Sequence, residues 1–386
     1  MSPMNRKAEK GEGKSREDFI PVCEPLLGGR ELEYVTEAVR SGWISSKGTF
    51  VERFEEGFAR YCGAKHGIAV CNGTVALHLA LATLDIGRGD EVIVPDFTMI
   101  ACANVATYLG ARPVFVDSEE ETWCIDPSLV KSRIREQTKA IMPVHIYGHP
   151  VDMDPILELA HQSGLCVLED AAEAHGSQYR GRRVGAIGDI GCFSFYANKT
   201  ITTGEGGMLV TNNEELAAKA RLLRDQGFTP GRRFTHEALG YNYRFTNMQA
   251  AVGLAQLEQI DRFVEARIDH AKEYNKILEC IDGLVLPPKA SWAKNTYWMY
   301  TILIQKSFGM DRDSLMGKLG ERGIETRPTF YPMHLQPLYG GKTDDNRYPV
   351  STRLSNQGMN LPSGNGLSKS QIERVASAIL EIRKGC

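Results

Sequence analysis

The chain has 386 residues, 42% of them hydrophobic, with 45 Lys and Arg against 48 Asp and Glu and a formal net charge of -3. A chain of that length buries a large core and suits two lobes. The near-neutral charge leaves no electrostatic footprint for nucleic acid, and no apolar run is long enough to cross a membrane.

Residues 1–18, rich in Lys, Glu, Gly and Ser without an apolar centre, read as a disordered N-terminal extension. Nine cysteines stand singly at 23, 62, 71, 102, 124, 166, 192, 280 and 386, with no C-x-x-C pair. They read as free thiols in a reducing compartment, so a cytoplasmic protein with no metal site is expected.

A Pro-containing entry from Phe19 leads to an amphipathic helix over Glu31–Ser41, the turn Gly42-Trp-Ile-Ser-Ser46 and a second helix over Thr49–Cys62. Strand and helix then alternate. Strands are predicted at Gly67–Val70, Glu91–Val94, Pro113–Val116, Ala140–Val144 and Cys166–Glu169, and helices at Thr74–Leu84, Thr98–Leu109, Pro127–Arg135 and Pro155–Ser163. That rhythm implies a parallel sheet covered on both faces. Beyond Asp170 the elements shorten: a hairpin at Tyr179–Val184, a helix around Asn213–Gln226 and a basic, Gly-containing connection over Gly227–Tyr243. One long helical stretch from Thr246 to about Leu278 is expected to link the lobes. The remainder, with a strand at Tyr297–Ile304, a helix near Arg312–Gly320 and a terminal helix from Ser368, reads as a smaller α+β lobe.

Three stretches carry chemistry. Asn72-Gly73-Thr74 falls where a strand gives way to a helix, and backbone N–H groups at a helix N-terminus attract anions. Many such starts are only helix caps. Leu165-Cys-Val-Leu-Glu-Asp170 is an apolar strand ending in carboxylates, at the edge where α/β proteins place ligands. A carboxylate buried there needs a cationic partner, unless Asp170 is a helix cap. The run Cys192-Phe-Ser-Phe-Tyr-Ala-Asn-Lys199-Thr-Ile-Thr-Thr-Gly-Glu-Gly-Gly207 sets a lone lysine on a Gly- and Thr-rich turn between two strands. Taken alone, Lys199 is either a preorganised catalytic amine or an ordinary loop lysine. Together the three match pyridoxal 5'-phosphate (PLP), whose aldehyde takes a lysine, whose ring nitrogen takes an acid and whose phosphate takes a helix N-terminus. His145 and His149 are separated by Gly148 and followed by Pro150, which prevents a helical metal pair. Arg180, Arg182 and Arg183 read as an exposed hairpin tip, and Arg232 and Arg233 as surface before site, in a loop with some character for a diphosphate. Tyr297, Trp298 and Tyr300 read as core of the small lobe.

With these residues in view, the chain resembles the PLP-dependent nucleotide-sugar aminotransferases of the DegT/DnrJ/EryC/StrS group, from about Ile20 to the terminal helix. The likeness is carried by Gly42-Trp-Ile-Ser-Ser, Asn72-Gly-Thr-Val-Ala-Leu-His-Leu-Ala-Leu, Gly89-Asp-Glu-Val-Ile-Val-Pro and Glu169-Asp-Ala-Ala-Glu-Ala. The lysine stretch, Gly240-Tyr-Asn-Tyr-Arg-Phe-Thr-Asn and Asn360-Leu-Pro-Ser continue it. It implies the aspartate-aminotransferase-like α/β fold: a large domain on a mixed, mainly parallel sheet plus a small α+β C-terminal domain. Residues 19–260 would form the large domain, with its N-terminal segment near the small lobe, and 261–386 the linker helix and small domain.

The resemblance further implies roles. Lys199 would bond the cofactor aldehyde, Asp170 would meet the ring nitrogen and Glu173 would face the ring hydroxyl. Gly73, Thr74 and Ser194 would hold the phosphate, with Asn242 reaching in from a neighbouring subunit of a homodimer or dimer of dimers with shared active sites. Relatives usually carry an aromatic after Thr98, where this chain has Met99, a thioether that lies against a ring without stacking on it. Glu173 and Glu325-Thr-Arg-Pro-Thr-Phe-Tyr-Pro-Met-His334 are most similar to members that use L-glutamate to convert GDP-4-keto-6-deoxymannose into GDP-perosamine. Trp43, Arg232, Arg327 and His334 are candidates to line the nucleotide-sugar site. Rival readings are an aminotransferase for a UDP- or dTDP-linked 4-keto or 3-keto sugar, and a PLP-dependent sugar 3-dehydratase. A nicotinamide oxidoreductase lacks its glycine fingerprint here, and a non-catalytic PLP-binding regulator would need no keto-sugar pocket.

Overall fold

The computed structural model describes residues 19–229, 231–232, 234–341 and 346–385. The expected N-terminal extension, Arg233 and Cys386 lie outside them. The two leading helices span Glu31–Ser41 (α1) and Thr49–Cys62 (α2), as their apolar spacing predicts. The strands β1 (His66–Val70), β2 (Glu91–Pro95), β3 (Arg112–Val116), β4 (Thr138–Ile141) and β5 (Cys166–Asp170) follow, with α3 (Gly73–Thr83) and α4 (Ala101–Tyr108) between the first of them.

These strands join Ile190–Ser194 and Gly207–Thr211 in a seven-stranded sheet of order β1, Gly207–Thr211, Ile190–Ser194, β5, β4, β2, β3. All run parallel except Gly207–Thr211, which is antiparallel to both neighbours. Glu91–Pro95, Ile190–Ser194 and Gly207–Thr211 are buried throughout and largely apolar, as strands covered on both faces must be. A parallel strand exits at the same edge as its neighbours, so Asp170 and Ser194, the last residues of adjacent strands, emerge side by side.

A second core sits under the sheet of Leu284–Val285, Tyr300–Ile304, Arg327–Pro328 and Gly358–Leu361. Ile20 belongs to it, tied by its N–H to the Gly323 carbonyl at 2.9 Å, whereas Val22 joins the large core. The N-terminal segment therefore straddles both cores.

Three expectations need correction. The helical stretch from Thr246 is two helices, Asn247–Leu257 and Ile260–Leu278. The first packs on α1 and α2, while the second turns Ala271, Tyr274 and Leu278 into the second core. A straight helix would not serve both directions. β4 starts earlier than predicted and stops at Ile141, because Pro143 has no N–H to extend the ladder. The Pro127–Arg135 helix is one α-helical turn followed by a 3-10 turn.

Candidate active site

α3 starts directly behind β1. The Asn72 side chain accepts from the Val75 N–H at 2.9 Å, capping the helix. The N–H groups of Gly73 and Thr74 precede the first intrahelical bond and point from the positive end of the dipole. The next layer fits too closely for side chains. A Cβ on Gly73 would stand 2.7 Å from the Ser194 Cβ, and one on Gly207 would stand 2.4 Å from the Asn72 carbonyl oxygen. Glycine at both positions seats the lysine stretch directly on the helix N-terminus.

The lysine stretch leaves the sheet at Ser194 and returns at Gly207. Phe195 anchors the excursion: its N–H donates to the Gly206 carbonyl at 2.8 Å, and its carbonyl accepts from the Thr203 N–H and Thr202 hydroxyl, both at 3.0 Å. The Lys199 N–H donates to the Tyr196 carbonyl at 2.9 Å. From this turn Nζ lies 3.6 Å over the centre of the Trp298 ring and 3.9 Å from Glu173 Oε1.

Asp170 ends β5 with 5% exposure. Its Oδ1 accepts from the Ala172 N–H at 3.0 Å and its Oδ2 from the Cys102 thiol at 3.0 Å. Glu173 follows on the next turn, its Oε2 accepting from the Tyr147 N–H at 2.8 Å, and Tyr147 holds a left-handed φ of 51° to make that bond. The Tyr147 ring stacks on Phe330, centroids 5.3 Å apart. Burial draws the Lys199 amine below the ordinary lysine range, against the pull of Glu173 and Asp170. Burial likewise pushes the Glu173 carboxyl up, to about 7, against the nearby amine. Two titratable groups shifted by burial in one cleft mark a candidate functional site.

Gly73, Thr74, Met99, Asp170, Glu173, Ser194 and Lys199 thus line one cavity of about 550 Å³. Among the described residues no group of three His, Cys, Asp or Glu side chains is arranged to hold a metal ion. The remaining candidates do not line the cavity within the protomer. Asn242 is exposed on the connection bridged to Asp225, Trp43 is 58% exposed, and Arg232 is exposed. Arg327 pairs with Glu325 at 3.2 Å. His334 is buried and bonded through Nδ1 to Asp96 Oδ2 at 2.6 Å, fastening its segment to the end of β2.

Trp298 is the clearest miss. Read from sequence as core, it lies under the lysine amine and lines the cavity, as do Asn198, Glu205, Tyr196 and Phe330. Nothing in the Tyr297-Trp-Met-Tyr300 run marks the tryptophan, because its contact is made across more than 90 residues of chain. Met99 stands at the cavity at 47% exposure, where the aromatic was expected.

Residues 25–380 match the DegT/DnrJ/EryC1/StrS aminotransferase family, and the chain belongs to it. It is 48% identical to the GDP-perosamine synthase of Caulobacter vibrioides over 365 residues, covering 94% of this chain and 98% of that protein. The structure of DesV from S. venezuelae superposes with a TM-score of 0.87 at 38% identity, over 92% of this chain and 94% of that one. Spr1654 from Streptococcus pneumoniae in its PLP form gives 0.89 at 26% identity, over 95% and 99%. The protein is an enzyme, a transaminase, and the rival nicotinamide reading falls away.

Proposed function

We propose that the protein binds pyridoxal 5'-phosphate in the 550 Å³ cavity and moves an amino group from L-glutamate to GDP-4-keto-6-deoxymannose, giving GDP-perosamine. The observation that carries this reading is the convergence of a helix N-terminus, a buried carboxylate and a buried lysine on one cavity. The fit to the cofactor is specific: Gly73 and Gly207 leave room only for backbone, so the amide N–H groups and the Ser194 hydroxyl form a cradle for a phosphate. Asn198 lines the same cavity, and its Oδ1 is buried without a protein partner. The choice of a GDP-linked 4-keto sugar rests on the 48% identity to the Caulobacter vibrioides synthase.

PLP, when bound, supplies an aldehyde that takes up amines and a ring that accepts charge. The chain does the rest. Lys199 Nζ would hold and move the proton at the donor Cα and at the sugar carbon, and burial lowers its basicity. Asp170, held by Cys102 and the Ala172 N–H, keeps a proton on the ring nitrogen. Glu173 would face the ring hydroxyl, and Trp298, whose ring centre lies 3.6 Å from Nζ, would exclude water beneath the amine. Asn242 from a second copy would reach the phosphate, and the active unit would then be a homodimer or a dimer of dimers. The eight described cysteines are all free, which supports a reducing, cytoplasmic setting.

The test is a panel of GDP-, UDP- and dTDP-linked 4-keto-6-deoxy sugars with L-glutamate, read by product mass. An amino sugar from the GDP substrate in preference to the others is the expected result. Ammonia with a deoxy product would mean a dehydratase, and preference for another nucleotide would reject the acceptor.

A further inference from the structure

Arg267 sits in the middle of the Ile260–Leu278 helix with 1% exposure. Among the described residues no carboxylate lies within ion-pair distance of it. An unpaired buried cation costs several kcal/mol, more than an apolar side chain of similar volume would. Its donors go instead to three neutral acceptors from separate parts of the chain. Nε donates to Asn365 Oδ1 at 2.6 Å, one Nη to the Trp298 carbonyl, and the other to Cys23 Sγ at 3.6 Å.

Each of those three residues then bonds the backbone flanking Lys199. Asn365 Nδ2 donates to the Thr200 carbonyl at 2.8 Å, Trp298 Nε1 to the Asn198 carbonyl at 2.8 Å, and the Cys23 thiol to that carbonyl at 3.4 Å. The guanidinium is the common root of every tertiary hydrogen bond on the 198–200 backbone among the described residues. Trp298, whose carbonyl it holds, also carries the ring beneath Nζ. The charged and titratable groups around the amine are Glu173, Asp170, His175, Cys23 and Arg267 itself.

We propose that Arg267 is a positioning residue for amino transfer: through Asn365, Trp298 and Cys23 it fixes the backbone that presents the Lys199 amine to the cavity. The inference rests on the reading of Lys199 as the acting amine. A guanidinium fork suits the task because its donors diverge in one plane, and a point-charge ammonium does not replace them.

Arg267→Lys keeps the charge and loses the fork; Arg267→Met loses both. In PLP-loaded protein with an unchanged melting midpoint, both are expected to lower kcat about tenfold or more, with KM for glutamate within about twofold. A second readout needs no cofactor: reductive methylation of Lys199 in the apoprotein at pH 8, followed by peptide mass. Removing the like charge makes the amine hold its proton more firmly, so labelling falls about threefold or more in Arg267→Met and stays near wild type in Arg267→Lys. Wild-type kcat in both variants would overturn the proposal, as would a kcat loss matched entirely by loss of bound PLP. Should neither variant fold, Asn365→Ala and Trp298→Phe each cut one link with Arg267 in place. A lowered kcat supports the proposal and wild-type kcat in both refutes it. Lys199→Ala separates the premise: retained turnover there refutes the Lys199 reading itself.

Discussion

Lys199 and Asp170 are the residues on which the proposed chemistry depends most. Lys199→Ala should lower turnover at least about a thousandfold while leaving the melting midpoint near wild type, because among the described residues no other amine lines the space. Asp170→Asn keeps the shape but loses the charge that would hold the ring proton, and kcat is expected to fall comparably with the fold intact. Gly73 makes a sharper steric prediction. Gly73→Ala places its Cβ 2.7 Å from that of Ser194, so it should weaken PLP binding about tenfold or more by absorbance titration. Adding Ser194→Gly removes the clash and should recover part of the packing though not the hydroxyl contact. If Gly73→Ala alone binds PLP as wild type does, the phosphate does not sit there.

At the scale of elements, the turns that follow β4 and β5 hold two buried histidines in neutral form. His175 lies among Phe58, Phe193 and Phe195 with neither ring nitrogen hydrogen-bonded, and burial draws it down to about 3. His149, whose Nδ1 meets the Pro150 carbonyl at 2.8 Å, is drawn down to about 4 by the same cause. The unfolded chain protonates both near pH 6.5, the folded one does not, so their cost is absent above that pH and grows as pH falls toward 4. Each contributes about 1.4 kcal/mol of lost stability per pH unit in that window. His175→Leu should therefore flatten the fall in urea midpoint between pH 6.5 and 4.5, and an unchanged slope would show that the ring protonates in the folded state. These turns also show what the sequence makes legible. Apolar strands ending in Asp170 and Ser194, and a helix starting at Gly73, are local patterns, so their convergence on one sheet edge was readable. Trp298, Asn365 and Cys23 reach the lysine turn from distant segments, and no local periodicity marks a residue whose partner lies 100 or more positions away. His334 shows the opposite case: its motif is local, but its partner, Asp96 at the end of β2, is not.

At the scale of the molecule, Asn242 has no place in its own cavity, and Trp43, Ile44 and Leu239 are exposed at 58%, 49% and 90%. Both facts are accounted for if a second copy completes the site. Inactive Lys199→Ala and Asn242→Ala dimers, mixed under conditions that exchange subunits, should then regain about a quarter of wild-type activity, since half the dimers are mixed and each carries one intact site. No recovery despite proven exchange would place Asn242 outside the site. The most direct measurement of the central claim is the absorbance of PLP-loaded protein, first with L-glutamate and then with GDP-4-keto-6-deoxymannose. The account predicts that glutamate bleaches the cofactor band and releases 2-oxoglutarate, and that the sugar restores the band as GDP-perosamine forms. A band that glutamate leaves unchanged, or a protein that takes up no PLP, would contradict it.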